Sequence, residues 1–224
     1  MMAWDKTWDS LFATRPWGKY PGEDTIRFVA RNFYKVKNRA DVKLLEVGCG
    51  TGANLWFMAR EGFSTYGVDG SAHAIEICRQ RLTEEVPGWT GELHQTDIMQ
   101  LNYTDNFFDA VIDIEACCCN NFEDATLIYA EMARVLKPGG KFYSRCFAKG
   151  TLGDETGERV SYNTYLPNVG SMVDTGITRF TSQDDIKNLL PTSLQVTELD
   201  QIQRGFFSGN PVIEWCITAE KNHD

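Results

Sequence analysis

The stretch Lys43-Leu44-Leu45-Glu46-Val47-Gly48-Cys49-Gly50-Thr51-Gly52-Ala53-Asn54 decides how this chain folds. Leu44 to Val47 reads as a short apolar strand, glycine then stands at alternate positions, and the spacing predicts a helix over Ala53 to Arg60. Without side chains at Gly48, Gly50 and Gly52 the backbone turns sharply and comes close to a ligand, while the helix N-terminus offers unpaired N–H donors. The plainer reading is a tight strand-to-helix turn with no ligand. Three spaced glycines weaken local structure unless close approach needs them, which favours the ligand.

Gly48-x-Gly50-x-x-Ala53 also satisfies the looser dinucleotide fingerprint, so the turn alone does not name what it holds. Two acidic residues narrow the choice. Glu46, two positions before the first glycine, suits a carboxylate that orients the turn and faces a positively charged group. Asp69 ends a second apolar strand, Ser64-Thr65-Tyr66-Gly67-Val68-Asp69, about 20 residues further on, the separation at which a carboxylate reaches both ribose hydroxyls.

Leu45-Glu46-Val47-Gly48-Cys49-Gly50-Thr51-Gly52 resembles motif I of the class I S-adenosylmethionine (SAM) dependent methyltransferases, and Gly67-Val68-Asp69-Gly70-Ser71 resembles their second motif. His94-Gln95-Thr96-Asp97-Ile98, Phe107-Phe108-Asp109-Ala110-Val111 and Arg134-Val135-Leu136-Lys137-Pro138-Gly139-Gly140 match further along, in family order, so the resemblance covers residues 43 to about 147. It implies a Rossmann-like three-layer α/β sandwich, with a seven-stranded, mostly parallel sheet in the order 3-2-1-4-5-7-6 and an antiparallel last strand. It implies SAM as cofactor and S-adenosylhomocysteine as product. The expected cofactor contacts are Glu46, Gly48, Cys49, Gly50, Gly52 and Asn54 at the corner, Asp69, Gly70 and Ser71 after the second strand, and Asp97 and Ile98 after the third. In this family the residue at Asp97 accepts a hydrogen bond from the adenine amine, which suits a carboxylate that only accepts and an amine that only donates. Asp97 as a surface turn residue is the alternative.

With 224 residues, 42% of them hydrophobic, the chain can bury one substantial core. One domain over 1–224 is expected, with residues 1–40 as an N-terminal helical cap and 148–180 as a substrate lid. A formal net charge of −9 with no dense Lys/Arg run argues against unaided binding of a nucleic-acid backbone or an anionic membrane surface. Small molecules and proteins stay open as partners, with the chain itself a monomer or a homodimer. Met1-Met2-Ala3-Trp4-Asp5-Lys6 puts Trp and Asp where a secretory leader needs an apolar run, and no stretch approaches membrane-spanning length. The seven cysteines, an odd number set mostly in strand or helix patterns, read as free thiols of a reducing cytoplasm.

Trp4, Trp8, Leu11 and Phe12 recur at helical spacing, which predicts an amphipathic helix over residues 3 to 13. The aromatic loop Arg15-Pro16-Trp17-Gly18-Lys19-Tyr20-Pro21-Gly22 follows. Trp17 and Tyr20 either fold over a bound sulfonium, whose charge an aromatic face attracts, or pack the helices against the domain. Further helices are predicted over residues 23 to 35, over 71 to 84 with Ser71 as N-cap, and from Asn120 on with Ile128, Met132, Val135 and Leu136 buried. Strands are predicted near 91 to 95, from Phe108 to Ile114, from Phe142 to Phe147, and as a hairpin over 193 to 202 and 211 to 219. Lys137-Pro138-Gly139-Gly140 has the form of a type II turn. From Ala148 to about Phe180 the pattern dissolves, as in lids and mobile loops, and the segment is assigned to acceptor recognition.

Methyl transfer from a sulfonium is an in-line displacement that positioning alone accelerates greatly, though a hydroxyl or ammonium acceptor still needs a base. Glu115, at the end of the fourth strand, is the first candidate for that base and for a cofactor contact. Asp113, Tyr143, Arg145 and Tyr162 stand behind it. Cys117, Arg145, Tyr162 and Tyr165 are the expected acceptor contacts. His73 and His223 have no such role, and His94 only a remote one. No metal is expected: Cys117-Cys118-Cys119 lacks ligand spacing, and a magnesium site on Asp113 with Asn120 or Asn121 lacks acidic partners after the fifth strand. A small molecule methylated on oxygen or nitrogen is the leading reading. Protein or RNA methylation, a non-catalytic SAM-binding subunit and an NAD oxidoreductase are its rivals.

Overall fold

The computed structural model describes residues 4–223, so Ala3, the first residue of the helix expected over 3 to 13, lies outside the described residues. In chain order the elements are α1 (Thr7–Thr14), α2 (Glu23–Phe33), β1 (Lys43–Val47), α3 (Ala53–Arg60), β2 (Ser64–Asp69), α4 (Ala72–Glu85), β3 (Gly91–Gln95), β4 (Phe108–Ile114), α5 (Phe122–Val135), β5 (Leu136–Phe147), β6 (Glu158–Ser161), β7 (Thr164–Leu166), β8 (Thr178–Arg179), α6 (Gln183–Leu189), β9 (Leu194–Arg204) and β10 (Val212–Lys221).

Strand β1 lies between β2 and β4 and pairs parallel to both, with Val47 opposite Val68 on one side and Asp113 on the other. The seven-stranded sheet runs β3-β2-β1-β4-β5-β10-β9. Only β10 is reversed, antiparallel to β5 and to β9. With the three short strands of the 148–180 segment set aside, this is the order 3-2-1-4-5-7-6 that the sequence resemblance implied.

A strand buried on both faces is apolar along most of its length, and β1 shows why the sheet is sandwiched. Leu44 points into a core with Phe28, Val29, Leu55, Met58, Ile75 and Leu82 of α2, α3 and α4. Its neighbour Leu45 points the other way, into a core with Ile128, Tyr129, Met132 and Ile186 of α5 and α6. The helices begin where polar side chains can take free N–H groups. Ser71 Oγ accepts from Ala74 N at 3.1 Å, Asn121 Oδ1 accepts from Asp124 N at 2.8 Å, and Ser182 with Asp185 forms a capping box at α6.

Two segments depart from expectation. Lys137 to Gly140 is no separate turn: β5 is continuous through it, and pairing with β4 steps from Phe108 opposite Leu136 to Ala110 opposite Lys141. The four residues bulge out opposite Asp109, whose Oδ1 accepts from Lys137 Nζ at 2.6 Å, with Gly139 at φ +71°. The segment over 148–180 is ordered, with a small antiparallel sheet β6-β7-β8. Strands of two to four residues are too short for alternation to register in a sequence. Arg179 of β8 ties this sheet to the main one. Its guanidinium is wholly buried, and Nη1 donates to the carbonyls of Cys117, Asn120 and Asn121 at 3.1, 2.9 and 3.2 Å. Among the described residues no helix is long and apolar enough to cross a membrane. All seven cysteines are free thiols.

Candidate active site

The corner between β1 and α3 has Gly48, Gly50 and Gly52 at φ +67°, +49° and +81°, a region in which L side chains are strained. A Cβ at Gly48 would lie 2.2 Å from the Cβ of Ala116, and one at Gly52 would lie 2.3 Å from Cys78 Sγ. Those two positions are bare so that β4 and α4 can close against the corner. Gly50 instead faces the ring of Phe12, where an added Cβ would come within 3.4 Å. Asp69 fixes the corner from the neighbouring strand: Oδ2 accepts from Gly50 N and Oδ1 from Ser71 N, each at 2.8 Å. Burial raises its pKa, and the two N–H donors oppose the rise.

Glu46 sits beneath the corner, 2% exposed. Oε1 accepts from Asn54 Nδ2 at 2.5 Å, whereas Oε2 is buried and takes no hydrogen bond. Burial pushes the carboxyl up to about 8; the Asn54 bond counteracts this, and the charges of Asp69 and Asp113 add to it. An oxygen desolvated in this way is satisfied by a cation or a strong donor arriving from the cavity.

That cavity, of about 420 Å³, opens at the carboxyl ends of β1 and β4, where connections leave toward opposite sheet edges. It gathers Glu46, Gly48, Cys49, Gly50, Asn54, Asp69, Gly70, Ile98, Glu115, Trp17, Tyr20 and Arg145 of the residues singled out in the sequence. Gly52, Ser71, Asp97, Cys117, Tyr162 and Tyr165 are not in its wall. Gly52 is the N-cap of α3, and Ser71 caps α4 while donating from Oγ to Asp9 at 2.6 Å. Asp97 accepts from Met99 N at 2.9 Å within its own turn. Cys117 is packed in the core with its Sγ 3.9 Å from Met132 Sδ. Tyr162 donates to Asp185 on the outside of the small sheet, and Tyr165 is buried against Phe180.

The wall also contains residues that sequence reasoning did not assign to it: Trp4, Asp5, Trp8 and Phe12 from the N-terminal segment, Cys119 and Asn120 after β4, Phe147 at the end of β5, and Ser171, Met172 and Thr175. The aromatic stripe was visible as helical periodicity, which does not distinguish core from lid. The ring of Trp4 lies against Gly70, where a Cβ would meet it at 2.3 Å. Asp9 holds α1 in place by accepting from Ser71 Oγ and meeting His73 Nδ1 at 2.9 Å. Ser171, Met172 and Thr175 belong to the 148–180 segment that the sequence assigned as a whole to acceptor recognition, but which of its residues reach the cavity was not visible, because only the tertiary path of the segment brings them here.

At the opposite wall Glu115 stands in the left-handed region, φ +62°, where a non-glycine residue is strained. Its Oε1 accepts from Arg145 Nη2 at 2.5 Å, and its carbonyl accepts from the thiols of Cys118 and Cys119. Arg145 also donates from Nη1 to Asp24 at 3.1 Å and places Nε 3.0 Å from Glu214 Oε1. Burial alone would lower the pKa of Arg145, but Glu115, Glu214 and Asp24 together raise it. Glu214, almost wholly buried, is pushed up to about 7 by burial and by its neighbour Glu115, with Arg145 and Arg204 opposing. Asp113 is consumed inside the fold: Oδ1 accepts from the N–H groups of Ala116 and Cys117, and Oδ2 from Ser144 Oγ and Tyr129. Tyr143 donates to Asp24 at 2.8 Å, and His94 pairs with Glu92 away from the cavity. Among the described residues no group of three His, Cys, Asp or Glu side chains is arranged to hold a metal ion.

Residues 45–144 match the family model of the methyltransferase domain. The chain is 32% identical over 130 residues to Methyltransferase GfsG of Streptomyces halstedii, covering 57% of this chain and 46% of that protein. It is 35% identical over 130 residues to a sterol 24-C-methyltransferase of Yarrowia lipolytica, covering 55% of this chain and 33% of that protein. The chain thus spans less than half the length of these curated relatives. A solved magnesium protoporphyrin IX methyltransferase of Synechocystis with bound SAM superposes with a TM-score of 0.64 at 15% identity, over 88% of this chain and 78% of that one, a likeness of fold.

Proposed function

Residues 45–144 belong to the methyltransferase domain family, in its class I Rossmann-like form, and from that premise we propose that this chain transfers a methyl group from SAM to a small-molecule acceptor bound in the same cavity. The observation that carries the reading is the buried, unpartnered Oε2 of Glu46 at a bare-backbone corner. A carboxylate oxygen in that position fits the ammonium of the donor's amino-acid end. A free phosphate or pyrophosphate at the same corner would find a carboxyl group where it needs a cation.

When bound, SAM supplies a methyl carbon on a sulfonium, with a neutral thioether as leaving group. The residues of the chain bind and orient. Gly50 lets the backbone come close, and Asp69 keeps its two N–H donors while its remaining lone pairs accept from ribose hydroxyls. Gly70 and Ile98 flank the nucleoside side of the cavity, and Trp4, Trp17 and Tyr20 cover it. Near-attack alignment then supplies most of the rate. Glu115 orients the acceptor and takes its proton, with oxygen or nitrogen as the atom methylated.

The cavity extends beyond the corner to Cys119, Asn120, Phe147, Ser171, Met172 and Thr175, which supports an enzyme with an acceptor site over a non-catalytic SAM-binding subunit. A cavity of about 420 Å³ is of the size that takes a small molecule, which supports one over a protein chain. The net charge of −9 speaks against a nucleic acid. The test is to incubate the protein and [methyl-³H]SAM with a metabolite extract from its source and to search by mass spectrometry for a gain of one methyl group. Labelled product that appears only with intact protein is the expected result. Tight SAM binding without any labelled product would overturn the enzymatic reading.

A further inference from the structure

We infer that the acceptor is an amine on an apolar body, and that the cavity rejects carboxylates, phosphates and other anions. This rests on the proposed methyl transfer and names the substrate class for the same site. The acidic and basic side chains among the described residues of the wall are Asp5, Glu46, Asp69, Glu115 and Arg145. Lysine and histidine do not contribute to the described wall. Glu46 and Asp69 belong to the donor's corner, so the acceptor meets Asp5, Glu115 and Arg145.

Arg145 is the one described cation that an anionic acceptor could use, and it is already committed. Its three nitrogens face Asp24, Glu115 and Glu214 at 3.1, 2.5 and 3.0 Å, so an acceptor carboxylate would approach a guanidinium already surrounded by three carboxyl groups. The local balance is therefore negative. Asp5 extends that charge to the far side: its Oδ2 lies so near Gly176 that a Cβ there would come within 2.7 Å, placing the carboxylate beside Thr175 of the wall. The remaining surface is Trp8, Phe147 and Met172, apolar walls that suit a hydrocarbon body, with an indole face that attracts a cation.

An amine arrives as ammonium, held by the carboxylates, and reacts as the free base. Its nitrogen lone pair forms the N–C bond, the C–S pair returns to sulfur, and the proton shed by nitrogen passes to the Glu115 carboxylate. Glu214, which titrates near neutrality behind Arg145, buffers the charge this leaves.

The test uses the full chain with saturating S-adenosylhomocysteine and reads tryptophan fluorescence, since Trp4, Trp8 and Trp17 all line the cavity. The probes are cyclohexylmethylamine and cyclohexanecarboxylate, alike in shape and opposite in charge. The amine is expected to bind about tenfold more tightly at neutral pH, and Glu115→Gln is expected to remove most of that preference by freeing Arg145. A carboxylate that binds as well as the amine, or an amine that does not bind, overturns the inference. Calorimetry of S-adenosylhomocysteine alone separates this failure from that of the proposed function: if the nucleoside does not bind, both fall.

Discussion

Glu46 shows how one side chain couples stability to binding. Burial raises its carboxyl from 4.5 to about 8, so in the empty chain it is protonated through neutral pH. For a raised acid, the stabilising contribution is fully present below the unfolded value and is lost as pH rises through the folded one. Glu46→Gln is therefore expected to match the parent's thermal midpoint near about pH 5 and to exceed it near about pH 9, as read by circular dichroism. A constant difference across that range would contradict it. An arriving ammonium favours the ionised form, so S-adenosylhomocysteine uptake at neutral pH should release about one proton. Asp69 was legible at the end of its strand, but its grip on Gly50 N was not, since only the pairing of Val47 with Val68 brings the two together. Asp69→Ala is expected to weaken S-adenosylhomocysteine binding by about 2 kcal/mol, through loss of charge-assisted hydrogen bonds. Unchanged affinity in calorimetry would remove Asp69 from the site.

Elements were legible in proportion to the length of their pattern. Strands β1, β2 and β4 are apolar runs of five to seven residues ended by Gly, Asp or Glu, and the sequence places them where the structure does. The 148–180 segment was read as a break in pattern and assigned to acceptor recognition without strands of its own, because β6, β7 and β8 are too short for alternation to register; they are held by each other, by Arg179 and by Tyr165 and Phe180 in the core. Arg179 satisfies three carbonyls of the turn that follows β4, and no carboxylate pairs with it among its hydrogen bonds. Arg179→Ala takes this donor from the carbonyls of Cys117 and Asn120, while Asn121 O keeps Ala125 N at 3.0 Å, and is expected to lower stability by about 2–3 kcal/mol. A urea midpoint unchanged from the parent would show that the turn does not depend on it. Helix α1 was legible as a helix of an N-terminal cap, but which of its residues reach the cavity was not, for its stripe of Trp8, Leu11 and Phe12 looks the same in core or cover.

At the scale of the molecule, the sheet order follows from strand type and crossover rules, and the order puts the cavity where β1 and β4 part. The half of the cavity proposed for the donor could be read as one cluster because it is built within one stretch, from residue 46 to residue 115, by backbone geometry and carboxylates at strand ends. The half proposed for the acceptor could be read only as a segment and not residue by residue, because it joins the N-terminal segment, the end of β5 and the 148–180 segment across long sequence separations. Titration calorimetry of the full chain with S-adenosylhomocysteine, beside NAD, probes the glycine corner and Glu46 at once. S-adenosylhomocysteine is expected to bind one to one with release of about one proton at neutral pH, and NAD to give no heat of binding. Binding of NAD alone, or a corner that leaves S-adenosylhomocysteine free at saturating concentration, would contradict the assignment of this cavity to a methyl donor.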